Sequence, residues 1–136
     1  MRRIAPFRVR RQRGSSLLET ALLIVVVFTV VFWVFEMCWL MYTYSVLADA
    51  ANEGVRYAIV HAGADSSGTT ARVKTVAGAS MHDVTAITVT VTAPDLDYVP
   101  PHRVRVTVSY TYVPYLGQFI SAPTMHADAE GAMVVK

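Results

Sequence analysis

One stretch of this chain concentrates the residues whose types and spacing could do chemistry. In Arg11-Gln12-Arg13-Gly14-Ser15-Ser16-Leu17-Leu18-Glu19, a basic run ends in glycine and a lone carboxylate follows within the next apolar residues. The chemistry this order suits is peptide cleavage followed by charge pairing. Glycine leaves the backbone ahead of a helix accessible and extended, as a peptidase at a membrane face requires. A cut between Gly14 and Ser15 exposes an amine at the helix start, where Ser15 or Ser16 could also serve as the N-cap. An α-amine of pKa about 8 is largely protonated at neutral pH. Glu19 then has a cation to pair with, its own Ser15 amine or that of an adjacent subunit, and its charge suits the positive end of the helix. Such a pair would fix the axial register between packed helices.

The remaining reactive types do not converge on a catalytic pattern. His61, His82, His102 and His126 fall in different segments, without the HxxxH or HExxH spacing of a helical metal site. Ser66-Ser67 lacks the surroundings of a nucleophile elbow. Asp95 and Asp97 stand beside prolines and read as turn formers. Cys38 is the only cysteine and lies in an apolar run, so it offers neither an intrachain disulfide nor a metal-ligand spacing. Tyr110, Tyr112 and Tyr115 invite a ligand-stacking reading, but alternating aromatics on a strand more often pack across strands. The expectation is a protein that is not an enzyme, with no cofactor, no metal and no small-molecule substrate.

The element that must position Gly14 and Glu19 is a membrane helix. Residues 15–35 are almost wholly apolar, and at the helical rise they cover about 31 Å, enough for a hydrocarbon core of about 30 Å. Backbone groups in lipid must bond internally, so a single such segment is a helix. Hydrophobic residues make up 54% of the chain and charged residues only 16%, where soluble domains carry about a quarter. The formal net charge of +2 conceals an asymmetry: six arginines precede position 14, while the rest carries six basic against ten acidic residues, a net −4. Positive charge just ahead of the apolar run is the pattern of a cytoplasmic anchor, not of a nucleic-acid binder. Trp33, Trp39, Tyr42 and Tyr44 gather toward the other end, as amphipathic rings do at a membrane boundary.

Helical periodicity continues beyond the membrane. Leu47, Ala50, Ala51, Gly54, Ala58 and Ala62 recur at three- and four-residue spacing, a stripe largely of small residues that lets another helix approach closely. The composition of 61–68 reads as a loop. A short second helix fits 70–81, with Ala71, Val73, Val76, Ala77 and Met81 on one face. The period then changes to two: 86–92 and 103–110 alternate Ile/Val with Thr, Arg and Ser and read as half-buried strands, and 124–135 is a weaker third. A hairpin alone is marginal, so a third strand and a covering helix are required.

On Arg13-Gly14, Ser15, Glu19-Thr20-Ala21, Glu36 and Ala50-Ala51-Asn52-Glu53-Gly54-Val55-Arg56-Tyr57-Ala58, the chain resembles the TadE-like proteins, pseudopilins of the tight-adherence (Flp, type IVb) pilus systems. The resemblance covers roughly 11–60. Two positions depart from the family pattern: Thr20 replaces the usual Phe after the Glu, and Val25 stands where a proline is common, which predicts a straighter first helix. The resemblance implies cleavage at Gly14–Ser15 by a membrane prepilin peptidase, and assembly with other pilin or pseudopilin subunits. Glu19 and Glu36 would act in assembly and register, and Ala50, Ala51, Gly54 and Ala58 in helix packing. The expected organisation is a basic leader (1–14), a transmembrane and extended helix (15–62) and a periplasmic head (63–136). The fold class is α+β, with a long N-terminal helix, a short second helix and a small antiparallel sheet in a pilin-like lollipop. The chain is expected in the bacterial inner membrane, crossing once with its N-terminus cytoplasmic. An uncleaved signal-anchor protein displaying a small periplasmic binding domain explains the arginines, helix and strands equally well, but not Gly14 placed just ahead of Glu19. An ordinary signal peptide ending at Ala48-Asp49-Ala50 fits poorly, because its apolar region would be too long.

Overall fold

The computed structural model describes residues 12–61, 65–81, 83–95, 97–99, 101–115 and 122–133, with side chains from Gly14 onward. Most of the leader, together with His82, lies outside these residues. Two helices precede three strands: α1 (Gln12–Val60), α2 (Ser66–Gly78), β1 (Ile87–Thr92), β2 (Arg103–Thr111) and β3 (Thr124–Ala132). The fold is α+β. The strands form one antiparallel sheet in the order β1-β2-β3.

α1 contributes to two compact units, Met1–Met37 and Cys38–Lys136. Its helical backbone runs uninterrupted through Val25, where the family pattern has its proline. Within the first unit it is one helix long and apolar enough to cross a membrane. Leu17, Leu22, Val26, Phe32 and Phe35 are among the large apolar residues exposed around it.

The second unit has its own core. β2 alternates strictly: Val104, Val106 and Val108 are buried, while Arg103 and Arg105 face out. β3 does the same, burying Met125, Ala127 and Ala129 and exposing His126, Asp128 and Glu130. Register follows this alternation, with Val106 opposite Ala129 and Val91. A one-residue slip would turn every apolar side chain outward. The inner face meets the second half of α1, whose Leu47, Ala50, Ala51, Val55 and Ala58 join the same core as Val73 and Ala77 of α2. The segment 63–136 therefore shares its core with α1 residues that precede it.

α2 begins earlier than its apolar pattern predicts. Ser66, Ser67 and Gly68 are helical, not loop, because Asp65 caps them: its Oδ1 accepts from the Gly68 N–H at 2.8 Å and from the Ser67 hydroxyl at 2.8 Å. The buried face is Thr69, Val73 and Ala77, so Ala71, two residues ahead of Val73, lies on the exposed side. Glu53 ties α1 to α2 by accepting from Arg72 Nη2 at 2.7 Å.

Candidate functional site

Gly14 and Ser15 lie on exposed helix. The expectation that helix begins only after the glycine is corrected: Gln12 and Arg13 are already helical, so in the uncut chain Ser15 and Ser16 are interior helix positions. Gln and Arg are good helix formers and carry the helix back past the glycine. Ser16 instead supplies a carbonyl, which accepts the Thr20 hydroxyl at 2.9 Å. A Cβ built on Gly14 meets nothing within 4 Å, so no packing in the described residues demands glycine there. What glycine does is weaken the helix locally, by about 1 kcal/mol relative to alanine. That lowers the cost of unwinding the peptide bond a protease would have to reach.

Glu19 lies one turn beyond Ser15 on a continuous helix, so the two residues share a face. Its side chain is exposed among Leu17, Leu18, Leu22 and Leu23, which are exposed by 74%, 75%, 68% and 59%. No hydrogen bond or ion pair among the described residues engages it. A carboxylate surrounded by leucines is expensive in lipid and is ordinarily found with a partner. Glu36 is in a different state, only 5% exposed. Sequence spacing alone gave the two acids the same standing; their surroundings separate them.

The small-residue stripe from Leu47 to Ala58 lies inside the second unit, and Ala62 lies outside the described residues. Ala50, Ala51 and Ala58 have no exposed surface, and Gly54 is buried with them. A Cβ on Gly54 would come within 2.6 Å of Val73 Cγ2 and 3.3 Å of Val106 Cγ1. The close-approaching helix is thus α2 of the same chain, with β2 beside it. The signal-peptide motif Ala48-Asp49-Ala50 falls in mid-helix, and a cut after Ala50 would split this core between two of its members.

The scattered polar groups resolve into surface structure. Arg103 donates to Asp95 from its backbone N–H at 2.9 Å and from Nη2 at 3.2 Å, and this holds the Asp95 carboxyl below its usual range. His102 does the same for Asp97. Arg103 and Arg105 both reach Glu130 across the outer face of the sheet. His61 stacks on Tyr57, with ring centroids 4.0 Å apart. Among the described residues, no three His, Cys, Asp or Glu side chains gather as metal ligands.

The three tyrosines that the sequence singles out, Tyr110, Tyr112 and Tyr115, meet residues that it does not connect with them. Trp39, Tyr42 and Thr43 of α1, Tyr110 of β2, Tyr112, Val113 and Tyr115 of the segment after it, and Ser80, Met81 and Asp83 line a cleft of about 230 Å3. Trp39 packs on Tyr42 at 5.6 Å and meets Tyr115 edge-on at 6.4 Å. Burial raises the Tyr110 hydroxyl pKa, and the Asp83 carboxylate adds to the shift. Tyr112 is buried, while Tyr115 projects.

Residues 14–56 match the family model of TadE-like proteins, the family that the processing-site pattern resembles. The match covers α1 from Gly14 to Arg56 and stops before α2 and the sheet. No curated protein and no solved structure matches the chain. The family likeness points to a membrane-associated component of tight-adherence pilus systems.

Proposed function

We propose that the chain is a minor pilin or pseudopilin that takes part in assembling a tight-adherence (type IVb) pilus or a related secretion filament. A prepilin peptidase removes the basic leader between Gly14 and Ser15. The mature chain sits in the inner membrane with its head in the periplasm, and other pilin or pseudopilin subunits then extract it. Its work is packing, not catalysis, and nucleic acid has no part in it.

The observation that carries this reading is the exposed apolar surface of α1 with Glu19 set into it. Burying a large aliphatic or aromatic side chain is worth about 1.5–3 kcal/mol. The exposed residues from Leu17 to Phe35 therefore forgo on the order of ten kcal/mol or more unless lipid or other helices cover them. Lipid satisfies the leucines and valines but not Glu19. A bundle of like helices, each starting with a Ser15 ammonium, satisfies both.

The test is the mature N-terminus, read by mass spectrometry on protein from membranes that contain the peptidase. A chain beginning at Ser15 supports the proposal. One beginning at Met1 or Arg2 replaces it with an uncleaved signal anchor displaying a periplasmic binding domain.

A further inference from the structure

The two edges of the sheet are not equivalent. Hydrogen bonds flank the β2–β3 ladder at both ends, from the Tyr112 N–H to the Pro123 carbonyl at 3.0 Å and from the Met133 N–H to the His102 carbonyl at 3.0 Å. Both pairs continue the ladder's register, so the β3 residues that exchange backbone bonds with β2 are Met125, Ala127, Ala129 and Gly131. The N–H and C=O groups of Thr124, His126, Asp128, Glu130 and Ala132 therefore point away from β2, and β3 is the last strand of the sheet. All five residues are exposed, and no backbone hydrogen bond engages them on that side among the described residues.

The opposite edge is closed. By the same alternation Ile87, Val89 and Val91 of β1 direct their backbone groups away from β2. There the Ile87 N–H donates to the Val84 carbonyl at 3.3 Å, and the Val91 carbonyl accepts the Tyr98 hydroxyl at 3.3 Å. α2 also packs beside β1. A free edge is ordinarily blunted by Lys, Pro or a bulge. β3 has none of these over 124–132 and keeps one register along its length.

Parity and charge then say what this edge fits. In an antiparallel pair of two β3 strands, outward-pointing residues must stand opposite one another, so the register shifts only in steps of two. Centring on His126 or Asp128 sets that residue against itself, and centring on Ala129 sets Asp128 against the partner's Glu130. Centring on Ala127 sets His126 against the partner's Asp128, twice by symmetry, and Thr124 against the partner's Glu130. Like charges directly opposite destabilise a sheet, while opposite charges and hydrogen-bonding pairs stabilise it. On the inner face the same register places Ala127 against the partner's Ala127 and the long Met125 against the partner's Ala129.

We propose that the free edge of β3 pairs antiparallel with β3 of a second copy, centred on Ala127, joining two three-stranded sheets into one. The closed β1 edge stops the association at two copies. The two-fold axis is normal to the sheet, so the parts of α1 packed on the two sheets run antiparallel, and the contact is separate from the helix bundle proposed above. It uses the second unit alone, so chains beginning at Met1 and at Ser15 pair alike.

The experiment uses the full chain, isotope-labelled in detergent micelles, and follows amide hydrogen exchange by nuclear magnetic resonance as protein concentration rises. The amides of Thr124, His126, Asp128 and Glu130 should exchange freely at the lowest concentration and slow by about tenfold or more at the highest, with the Val89 amide unchanged. His126→Asp sets two carboxylates against each other, and Asp128→His sets two imidazoles; each should weaken pairing by about three- to thirtyfold. The double variant, His126→Asp with Asp128→His, restores the complementarity and should recover it. Both side chains are exposed and bond no other described residue, so neither change disturbs the fold. Protection at every concentration would mean that the chain covers its own edge, and would overturn the proposal. So would exchange that never slows, pairing indifferent to the single substitutions, or a loss that the double variant does not recover.

Discussion

Replacing Gly54 by alanine is a direct test of how α1 and α2 are joined. The added methyl would lie 2.6 Å from Val73 Cγ2, where carbon atoms ordinarily approach to about 3.5–4.0 Å. Val73 has no exposed surface and, as a β-branched residue in a helix, little rotamer freedom. Val106 Cγ1, 3.3 Å away, closes the alternative direction. Overpacking of this kind costs about 1–3 kcal/mol, while Gly→Ala within a helix returns about 1 kcal/mol. The net expectation is a loss of about 1 kcal/mol, and for a unit of this size that lowers Tm by about 4–8 °C. The assay is thermal unfolding of the full chain in mild detergent, followed by near-ultraviolet circular dichroism of the head's tyrosines. Because the two contributions partly cancel, the sharper measurement is the cycle with Val73→Ala, which empties the space the new methyl needs. Gly54→Ala should be less destabilising in that background by about 1 kcal/mol or more. A cycle that closes without coupling, or a Gly54→Ala chain that melts above wild type, would refute the close approach of these helices.

The processing and assembly claims separate by mutation. Gly14→Ala should accumulate an unprocessed chain while the head melts as in wild type, since no described atom lies within 4 Å of the new methyl; immunoblots and thermal melts check the two halves. Glu19→Ala should be cleaved normally yet fail to enter filaments, measured by shearing pili from cells, and normal incorporation would eliminate the register role. The head should also lose stability in acid. Asp65, held down by the Gly68 N–H and then by the Ser67 and Tyr57 hydroxyls, and Asp95 and Asp97, held down by Arg103 and His102, all have folded pKa values below the usual 3.8. Their stabilisation is fully present above that value and is lost as pH falls through the lower folded values. Tm should therefore stay level with respect to these groups from pH 7 to about 5 and fall below about pH 4; no acid-side fall would contradict these pairings.

Periodicity made the strands and the long helix legible. The alternation of Val104, Val106 and Val108 with Arg103 and Arg105 named both the strand and its buried face, because a pleated strand must alternate. The stripe through Gly54 likewise announced a close helix contact without naming the helix. Local composition misled at two places. Asp65-Ser66-Ser67-Gly68 looks like a loop but is a capped helix start, since Asp and Ser serve both roles and only the Gly68 N–H decides between them. Gln12-Arg13-Gly14 looks like a stop before the helix but is helical, because one glycine costs too little to end a helix that long. The aromatic cleft was legible only by half: the sequence singled out Tyr110, Tyr112 and Tyr115 but not the α1 residues they meet. Trp39 and Tyr115 meet only because α1 and the segment after β2 are folded together, and no local pattern encodes a contact across that much chain.

The burial of the small-residue stripe narrows where subunit contacts on α1 can form. Ala50, Ala51, Gly54 and Ala58 are occupied by the chain's own α2 and sheet, so they are unavailable to a neighbouring helix unless the head opens. The outward face of that half carries Asp49, Asn52 and Arg56, which are exposed and polar and give a partner little apolar area to bury. On the proposed function, intersubunit packing then draws on the apolar segment before Met37. Glu19 is there, exposed among leucines and without a partner among the described residues. Leaving the bilayer exchanges lipid for helix against those leucines, which is nearly neutral because both surroundings are apolar. The exchange gains an ion pair only if a neighbour brings an ammonium to the depth of Glu19. On the proposed function, a free Ser15 amine supplies one. Cleavage and assembly are therefore coupled, on that same proposal, through a single carboxylate, with the first step creating the ammonium that the second step pairs.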